Sequence, residues 1–322
     1  MKAIRYDHFG SPEVLTCVEL PVPELQAGEV LVRVHAVGVN FFEVLMRADR
    51  YAVTPLLPML PGVEVAGVVE KVGEGVDGTR LGTRVAVPLF ALGGGGGYAE
   101  YVAVDAGYAV PIPDRLPFSG ATALVVQGLT ALHMVQQSSL MGKTVLVHAA
   151  AGGVGSLLTQ LARRRGARRV IATAVSAAKR SLALALEMGA NLAIDYSAPG
   201  WETSLAGPRP DVVYDTIGGD MTRASLAVLA DGGELVFAAL GRFAATAEDI
   251  TRMLDKNQSL RGLALLPLLG ASLVPDLQSL FELAASGELR LLPGRQFPLH
   301  GAAEAYRAIE SRMATGKVVL MS

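Results

Sequence analysis

A short apolar run that breaks into closely spaced glycines is the clearest chemical signal in this chain. Residues 145–150 lead into five mostly small residues, namely Ala151, Gly152, Gly153, Val154 and Gly155. Glycines at the end of a strand let the backbone approach a pyrophosphate, and the following helix presents exposed N–H groups and its positive dipole end. The pattern predicts a turn that binds the phosphates of a dinucleotide, with Gly155 allowing the helix to pack closely on its strand.

The neighbouring sequence places this turn inside a strand–helix–strand unit. A helical pattern begins near Ser119, a strand starts after Gly142 and Lys143, and a second strand-like run covers Arg169–Thr173. This is a βαβ unit of the expected size. Ala150 stands where the G-x-G-x-x-G pattern has its first glycine, so a tight turn without a ligand is the open alternative.

The wider pattern predicts an α/β chain with two domains, because 322 residues exceed what one core usually organises. Strand candidates at 145–147, 170–173, 192–195, 211–216 and 233–238 alternate with helices, which predicts a doubly wound parallel sheet over residues 119–259. Short β-like runs separated by Pro and Gly precede it and predict a barrel-like β domain. A strand-like segment at 316–320 is expected to return to that domain, which then comprises 1–118 and 260–322.

Composition argues against several other classes of protein. A net charge of −2 gives no electrostatic reason to expect a nucleic-acid partner. Neither a stretch of about twenty apolar residues nor an apolar signal segment after Met1 is present, so we expect no membrane span and a cytoplasmic location. Cys17 is the single cysteine, which allows neither an internal disulfide nor a cysteine zinc site.

The second strand of the predicted unit ends without a carboxylate. Units that bind NAD usually place Asp or Glu there to accept hydrogen bonds from the ribose hydroxyls. Here residues 172–176 read Ala-Thr-Ala-Val-Ser, and Lys179 and Arg180 follow. Basic side chains suit the 2′-phosphate of NADPH instead, and Ser176 would add a hydroxyl. A solvated lysine at the start of a helix is the open alternative.

Several motifs together resemble the zinc-independent quinone oxidoreductases of the medium-chain dehydrogenase/reductase superfamily, the group that includes ζ-crystallin. They span nearly the whole chain: Gly38–Asn40, Pro61–Glu64, Ala66–Val69, Gly97–Tyr101, Gln127–Thr130, Ala151–Gly155, Val213–Gly219 and Gly294–Leu299. The resemblance implies a GroES-like β-barrel catalytic domain and a Rossmann domain that binds NADPH. It also implies a homodimer, which we expect to form through sheet edges near residues 234–238.

The same resemblance implies further cofactor contacts by position. Relatives hold the 2′-phosphate with residues that match Lys179 and Tyr196, and they line the nicotinamide with a residue that matches Thr130. Arg312 matches an arginine that approaches the cofactor, and the loop at 238–242 matches a segment that contacts it. The remaining residues of the predicted cofactor set are Asn40, Thr173, Leu240 and Gly241.

Zinc alcohol dehydrogenases of the same superfamily have a cysteine where this chain has Asn40 and a histidine where it has Val63. Both ligands are missing here. The five histidines are scattered without the spacing of a ligand set. We therefore expect a metal-free enzyme.

The reaction that the resemblance implies is hydride transfer from NADPH to a quinone or a related conjugated carbonyl. The protein must then position the acceptor and supply hydrogen-bond donors for the developing oxyanion. Asn40 and Tyr51 are the candidate catalytic residues, with Glu43 supporting them. Two alternatives stay open: a 2-enoyl thioester reductase, since residues 39–45 also resemble enoyl reductase domains of polyketide synthases, and a non-catalytic NADPH-binding protein.

Replacing Lys179 by alanine tests the phosphate assignment. Loss of one charge-assisted hydrogen bond, worth roughly 1.5 to 3 kcal/mol, should weaken the preference for NADPH over NADH about tenfold to a hundredfold. The ratio of kcat/KM for the two cofactors measures this preference. A ratio in Lys179→Ala equal to that of the wild type would contradict the assignment.

Overall fold

The computed structural model describes residues 1–175, 180–205, 207–239, 242–311 and 314–322. Its strands are β1 Lys2–Arg5, β2 Thr16–Glu19, β3 Glu29–Val39, β4 Val65–Val72, β5 Arg84–Val87, β6 Tyr101–Asp105, β7 Val110–Pro111, β8 Thr144–Val147, β9 Arg169–Ala174, β10 Leu192–Asp195, β11 Val212–Asp215, β12 Glu234–Phe237, β13 Ser259–Gly262, β14 Gln296–Pro298 and β15 Val318–Met321. Its α-helices are α1 Phe41–Arg47, α2 Phe118–Ala123, α3 Leu129–Gln136, α4 Gly153–Arg164, α5 Arg180–Glu187, α6 Asp220–Val228, α7 Ala247–Asp255, α8 Leu266–Leu269, α9 Leu273–Ala285 and α10 Ala302–Glu310.

The described chain forms two compact units. The first comprises Met1–Gly128 and Leu269–Ser322, and the second comprises Leu129–Leu268. The first and last segments of the chain thus belong to one unit. The divisions fall after residues 128 and 268, whereas the sequence pattern places them after 118 and 259.

The second unit is built on a parallel sheet with the strand order β10-β9-β8-β11-β12-β13. Its central strands β8 and β11 are fully buried, as expected of apolar strands that are covered on both faces. The strand order reverses between β8 and β11, which is the position where open α/β sheets bind their ligands. The predicted doubly wound sheet is therefore confirmed.

The first unit is built on a largely antiparallel sheet with the order β14-β15-β3-β4-β5-β7, and β6 pairs with β3. The long strand β3 is rich in valine, whose branched side chain favours strands, and most of its residues are buried. Strand β15 pairs antiparallel with β3, with Val318 opposite Val39. The last strand of the chain therefore lies against the first long one.

One helical stretch, Phe118–Gln136, is long and apolar enough to cross a membrane by length and composition. In the structure 61% of its most apolar window is buried inside the protein. Packing in the core accounts for this apolar sequence.

The edge of the parallel sheet differs from the one expected from the sequence. Strand β12 pairs with β11 on one side and with β13 on the other, so residues 234–238 do not form an edge. The outermost strand beside β12 is β13, whose residues are all exposed. Its sequence, Ser-Leu-Arg-Gly, lacks the β-branched and aromatic residues that mark a strand, so the pattern gave no sign of it.

A buried histidine connects three elements of the second unit directly before the glycine turn. The Nδ1 atom of His148 lies 2.8 Å from Thr173 Oγ1 on β9, and its Nε2 lies 2.8 Å from Ser225 Oγ on α6. Because the Ser225 hydroxyl donates to the carbonyl oxygen of Met221, it accepts from Nε2–H, and Nδ1 accepts from Thr173. Burial lowers the pKa of His148 to about 4, so the ring is neutral at neutral pH.

This neutral histidine predicts an acid-sensitive second unit. An unfolded histidine binds a proton below about pH 6.5, which the folded ring does not accept until about pH 4. The free energy of unfolding should therefore fall as the pH decreases through this window, by at most about 1.4 kcal/mol per pH unit from this group. The slope should become shallower in His148→Gln. The single tryptophan, Trp201, packs edge-on against His148 at 5.6 Å, so its fluorescence reports unfolding at this place.

The exposed His8 provides the matched control, and His8→Gln should keep the slope of the wild type. Denaturant titrations at a series of pH values give the three slopes. Equal slopes for His148→Gln and the wild type would show that His148 is not the group that takes up the proton.

Candidate functional site

The glycine turn lies between β8 and α4, where the sequence pattern predicts it. Ala149 has a φ of +49°, a left-handed conformation that is uncommon for a residue with a side chain and costs free energy. The turn is closed by hydrogen bonds from Ala150 N to Thr173 O, at 2.9 Å, and from Gly152 N to Ala149 O, at 2.8 Å. Helix α4 then begins at Gly153. The five residues of the predicted phosphate site, 151–155, therefore form the end of the turn and the first turn of α4.

Gly155 meets the requirement for close packing that its position predicts. A Cβ atom there would lie 2.3 Å from Ala149 O and 2.9 Å from Ala150 Cα. Only glycine therefore allows α4 to begin so close to the strand. The first N–H groups of a helix have no partners within the helix, and Gly152, Gly153 and Val154 are partly exposed here. This arrangement fits an anionic ligand at the start of α4.

The parallel sheet brings two further predicted residues to the same edge, because the carboxyl ends of its strands meet there. Thr173 is near the end of β9, and Tyr196 follows β10. Thr173 is fully buried and its hydroxyl is bonded to His148, so its side chain has a structural partner. Tyr196 is half-buried, and its backbone N–H donates to Ala174 O at 3.3 Å. The residues that end β9 and follow it, Ala174 and Val175, carry no carboxylate.

Of the other predicted cofactor contacts, only some lie in the part of the chain that the structure describes. Ser176, Lys179, Leu240, Gly241 and Arg312 lie outside the described residues. Thr130 is described. It is half-buried in the first turn of α3, directly after a π-helical turn at Leu124–Gly128.

Asn40 belongs to a buried polar cluster in the first unit, which we define as Asn40, Glu43, Glu64 and Lys317. Its Nδ2 atom donates to Glu43 Oε2 at 3.1 Å and to Glu64 Oε1 at 2.8 Å. Its Oδ1 atom accepts from Lys317 Nζ at 2.7 Å, and Lys317 also forms an ion pair with Glu64. All four residues are buried. Both ends of the Asn40 amide are thus bonded to protein groups, which gives this predicted catalytic and cofactor residue a structural place.

Glu43 is the second carboxyl group of the buried polar cluster. It lies in the first turn of α1 and accepts from the backbone N–H groups of Asn40, at 3.0 Å, and Gly62, at 2.9 Å. Burial, followed by the negative charge of Glu64, raises the pKa of Glu43 to about 7. One ammonium group therefore faces two carboxyl groups, of which one is close to half-protonated near neutral pH.

The sequence pattern assigns no role to Glu64 or Lys317. Both stand in quoted stretches, Pro61–Glu64 and the strand-like segment at 316–320. A charged residue inside an otherwise apolar strand pattern was the available signal, because a charge there must find a partner when it is buried. The sequence gives no indication of which partner that is.

Tyr51, the other candidate catalytic residue, follows α1 on a segment without regular structure. Its side chain is half-buried, and its ring packs on Phe42 with 5.6 Å between the ring centres. A half-exposed phenol at this position can donate a hydrogen bond to a small molecule.

The positions that hold metal ligands in zinc relatives have other roles here. Val63 is a buried apolar side chain, and Asn40 is bonded within the buried polar cluster. Over the described ranges, no group of three or more His, Cys, Asp and Glu side chains is placed to hold a metal ion.

Comparison with known protein families agrees with this architecture. Residues 26–114 match the alcohol dehydrogenase GroES-like domain, and residues 188–320 match the family described as zinc-binding dehydrogenase. The first match identifies the β-rich unit as GroES-like, as predicted. The quinone oxidoreductase of Pseudomonas aeruginosa is 34% identical over 332 residues, which cover 99% of each chain.

Solved structures of the same kind cover the whole chain. The quinone oxidoreductase of Thermus thermophilus, solved alone and with NADPH, is 37% identical, with a TM-score of 0.84 and full coverage of both chains. The Escherichia coli quinone oxidoreductase in complex with NADPH is 29% identical, with a TM-score of 0.89 and full coverage of both. The shared fold and the sequence match over the full length lead to one conclusion: this chain belongs to the quinone oxidoreductase family of the medium-chain dehydrogenase/reductase superfamily.

Proposed function

We propose that this protein is an NADPH-dependent quinone oxidoreductase that reduces a quinone or a related conjugated carbonyl by metal-free hydride transfer. The observation that carries the proposal is the close approach of α4 to its strand at Gly155, at the switch point of the parallel sheet. Relatives that match the whole chain were solved with NADPH, which supports the same ligand here.

The turn residues 151–155 would hold the pyrophosphate at the start of α4. At the end of β9 the absence of a carboxylate on Ala174 and Val175 supports a 2′-phosphate in place of free ribose hydroxyls. Lys179, Ser176 and Tyr196 are the proposed partners of that phosphate. Thr130, Arg312 and the backbone of Leu240 and Gly241 complete the proposed contacts, and Thr173 fixes the end of β9 through its hydrogen bond to His148.

When bound, the reduced nicotinamide supplies the hydride. The chain itself must hold the acceptor, keep water away and stabilise the oxygen that gains negative charge. We assign the hydrogen bond to that oxygen to the Tyr51 phenol, because it is partly exposed. Asn40 then has a supporting role without direct contact to the acceptor, since its amide is bonded to Glu43, Glu64 and Lys317.

The charges of the buried polar cluster support a metal-free reaction. In zinc relatives a cysteine stands at the position of Asn40. Here the Lys317 ammonium donates to Asn40 and pairs with Glu64, so a protein cation already balances this carboxylate. A metal ion at this place would face a nearby positive charge, which weakens its binding.

Substrate trials test the proposal and separate it from its alternatives. We expect the purified protein to consume NADPH with 1,4-benzoquinone or 9,10-phenanthrenequinone, and to do so with a higher kcat/KM than with crotonyl thioesters. The decrease of NADPH absorbance measures each rate. Preferential turnover of the thioesters would identify an enoyl reductase, and tight NADPH binding without turnover would identify a non-catalytic binding protein.

We also propose a homodimer formed through β13, the exposed outer strand beside β12. An exposed strand edge offers unpaired backbone groups, and two copies related by a twofold axis can join such edges. Leu260 on β13 is 37% exposed, which adds apolar surface at this edge.

Sedimentation velocity tests this interface. The wild type should sediment as a dimer, and Leu260→Asp should shift it towards monomer because it adds a charge where the two copies meet. Leu254→Asp is the matched control, since Leu254 lies on α7 and is 75% exposed. A monomeric wild type, or equal dissociation in both variants, would exclude the β13 interface.

A further inference from the structure

Glu64 is the buried carboxylate at which three parts of the first unit meet. It stands directly before β4 and has no exposed surface. Its Oε1 atom accepts from Asn40 Nδ2 at 2.8 Å and pairs with Lys317, and its Oε2 accepts from the backbone N–H of Val126 at 2.7 Å. The start of α1, the segment before β15 and the π-helical turn therefore share one carboxylate.

The backbone of β3 is shaped to admit this ion pair. A Cβ atom at Gly38 would lie 2.2 Å from Glu64 Oε1 and 2.6 Å from Lys317 Cε. Any larger residue at position 38 would therefore displace the pair. Removing one partner of a buried ion pair leaves an uncompensated charge, which is strongly destabilising. Gly38, Glu64 and Lys317 thus form one structural unit.

The π-helical turn Leu124–Gly128 explains why the bond to Val126 matters. π-Helical turns are rare in proteins as a whole, but those that do occur are often found at functional sites. They interrupt the regular helical hydrogen bonds, so the backbone groups concerned need other partners. Val126 finds its partner in Glu64, and the turn leads directly into Leu129 and Thr130.

We infer that Glu64 is a positioning residue for the proposed reaction. It holds the start of α1, which leads to Tyr51, and the π-helical turn Leu124–Gly128 in one arrangement. Lys317 supplies the balancing charge. Glu64 acts through these segments, because it is fully buried and its oxygens are used by protein donors. The inference rests on the proposed reduction of a quinone by NADPH.

Glu64→Gln tests the inference, because glutamine has nearly the same shape but lacks the charge and one acceptor. We expect kcat/KM for 1,4-benzoquinone to fall at least about tenfold, since small displacements of positioning groups have large effects on rate. The dissociation constant of NADPH should hardly change, because the glycine turn lies in the second unit. Amide exchange of Val126 in the cofactor-free protein, followed by NMR, should become at least about tenfold faster.

A double variant separates positioning from charge balance. Glu64→Gln/Lys317→Met removes both charges, so its free energy of unfolding should recover towards that of the wild type. Its kcat/KM should stay low, because the Glu64 carboxylate that joins Val126 to Asn40 is still absent. Recovery of activity together with stability would overturn the inference.

Asp211→Asn is the matched control. Asp211 also accepts from a backbone N–H, that of Thr144 at 2.7 Å, and also lies near a lysine, Lys143 at 3.9 Å, but at the amino-terminal edge of the parallel sheet. It should keep the activity of the wild type.

Unchanged exchange of Val126 in Glu64→Gln would overturn the inference even if activity fell. A wild type that oxidises no NADPH with any quinone would refute the proposed function instead, and the exchange of Val126 would still decide whether Glu64 holds the turn.

Discussion

The ammonium group of Lys317 is the contact on which the first unit depends, because it joins two parts of the chain that are far apart in sequence. Asn40, which accepts its hydrogen bond, is 277 positions away. Charges inside a core are tolerated only when they are paired and hydrogen-bonded. Glu64 and Asn40 meet that condition for Lys317, and Gly38 leaves the space that the pair needs. The register of β15 on β3 therefore depends on side-chain chemistry as well as on backbone pairing.

The second unit depends on backbone geometry at its glycine turn. Ala149 adopts a left-handed conformation that costs free energy, and Gly155 removes the side chain that would separate helix from strand. The neutral His148 holds the strand end beside β9 and α6. Preorganised backbone donors at a helix start can then serve a phosphate ligand without further movement.

The sequence predicted the parts of the fold that have a local signature. The strand candidates around β8 to β12 were placed within a few residues, because each is an apolar run that ends in turn residues. The glycine turn followed from the glycine spacing together with the strand and helix patterns around it. Strand β13 was missed because it is exposed and polar, and the expected sheet edge was consequently wrong by one strand.

Side-chain partners were harder to predict than elements. Residue type shows that Asn40 must make hydrogen bonds, yet its partners Glu64 and Lys317 stand directly before two other strands, β4 and β15. Pairing across a sheet is set by tertiary packing, which no local pattern encodes. The resemblance predicts Asn40 as a residue of the catalytic site, whereas the structure shows which protein groups its amide bonds to.

Two buried groups with shifted pKa values, Glu43 and His148, respond to acid in opposite directions. Glu43, with a pKa of about 7 against an ordinary 4.5, takes up a proton when the first unit folds from an ionised chain. His148, with a pKa of about 4 against 6.5, gives up a proton when the second unit folds from a charged chain. Between pH 4.5 and pH 6.5, the ordinary pKa values of the two groups, the proton that the first unit takes up on folding is matched by the proton that the second unit releases. Mild acid therefore stabilises the first unit while it destabilises the second. The stability of the whole molecule contains both opposing contributions, and a local reporter such as Trp201 is needed to follow the second unit by itself.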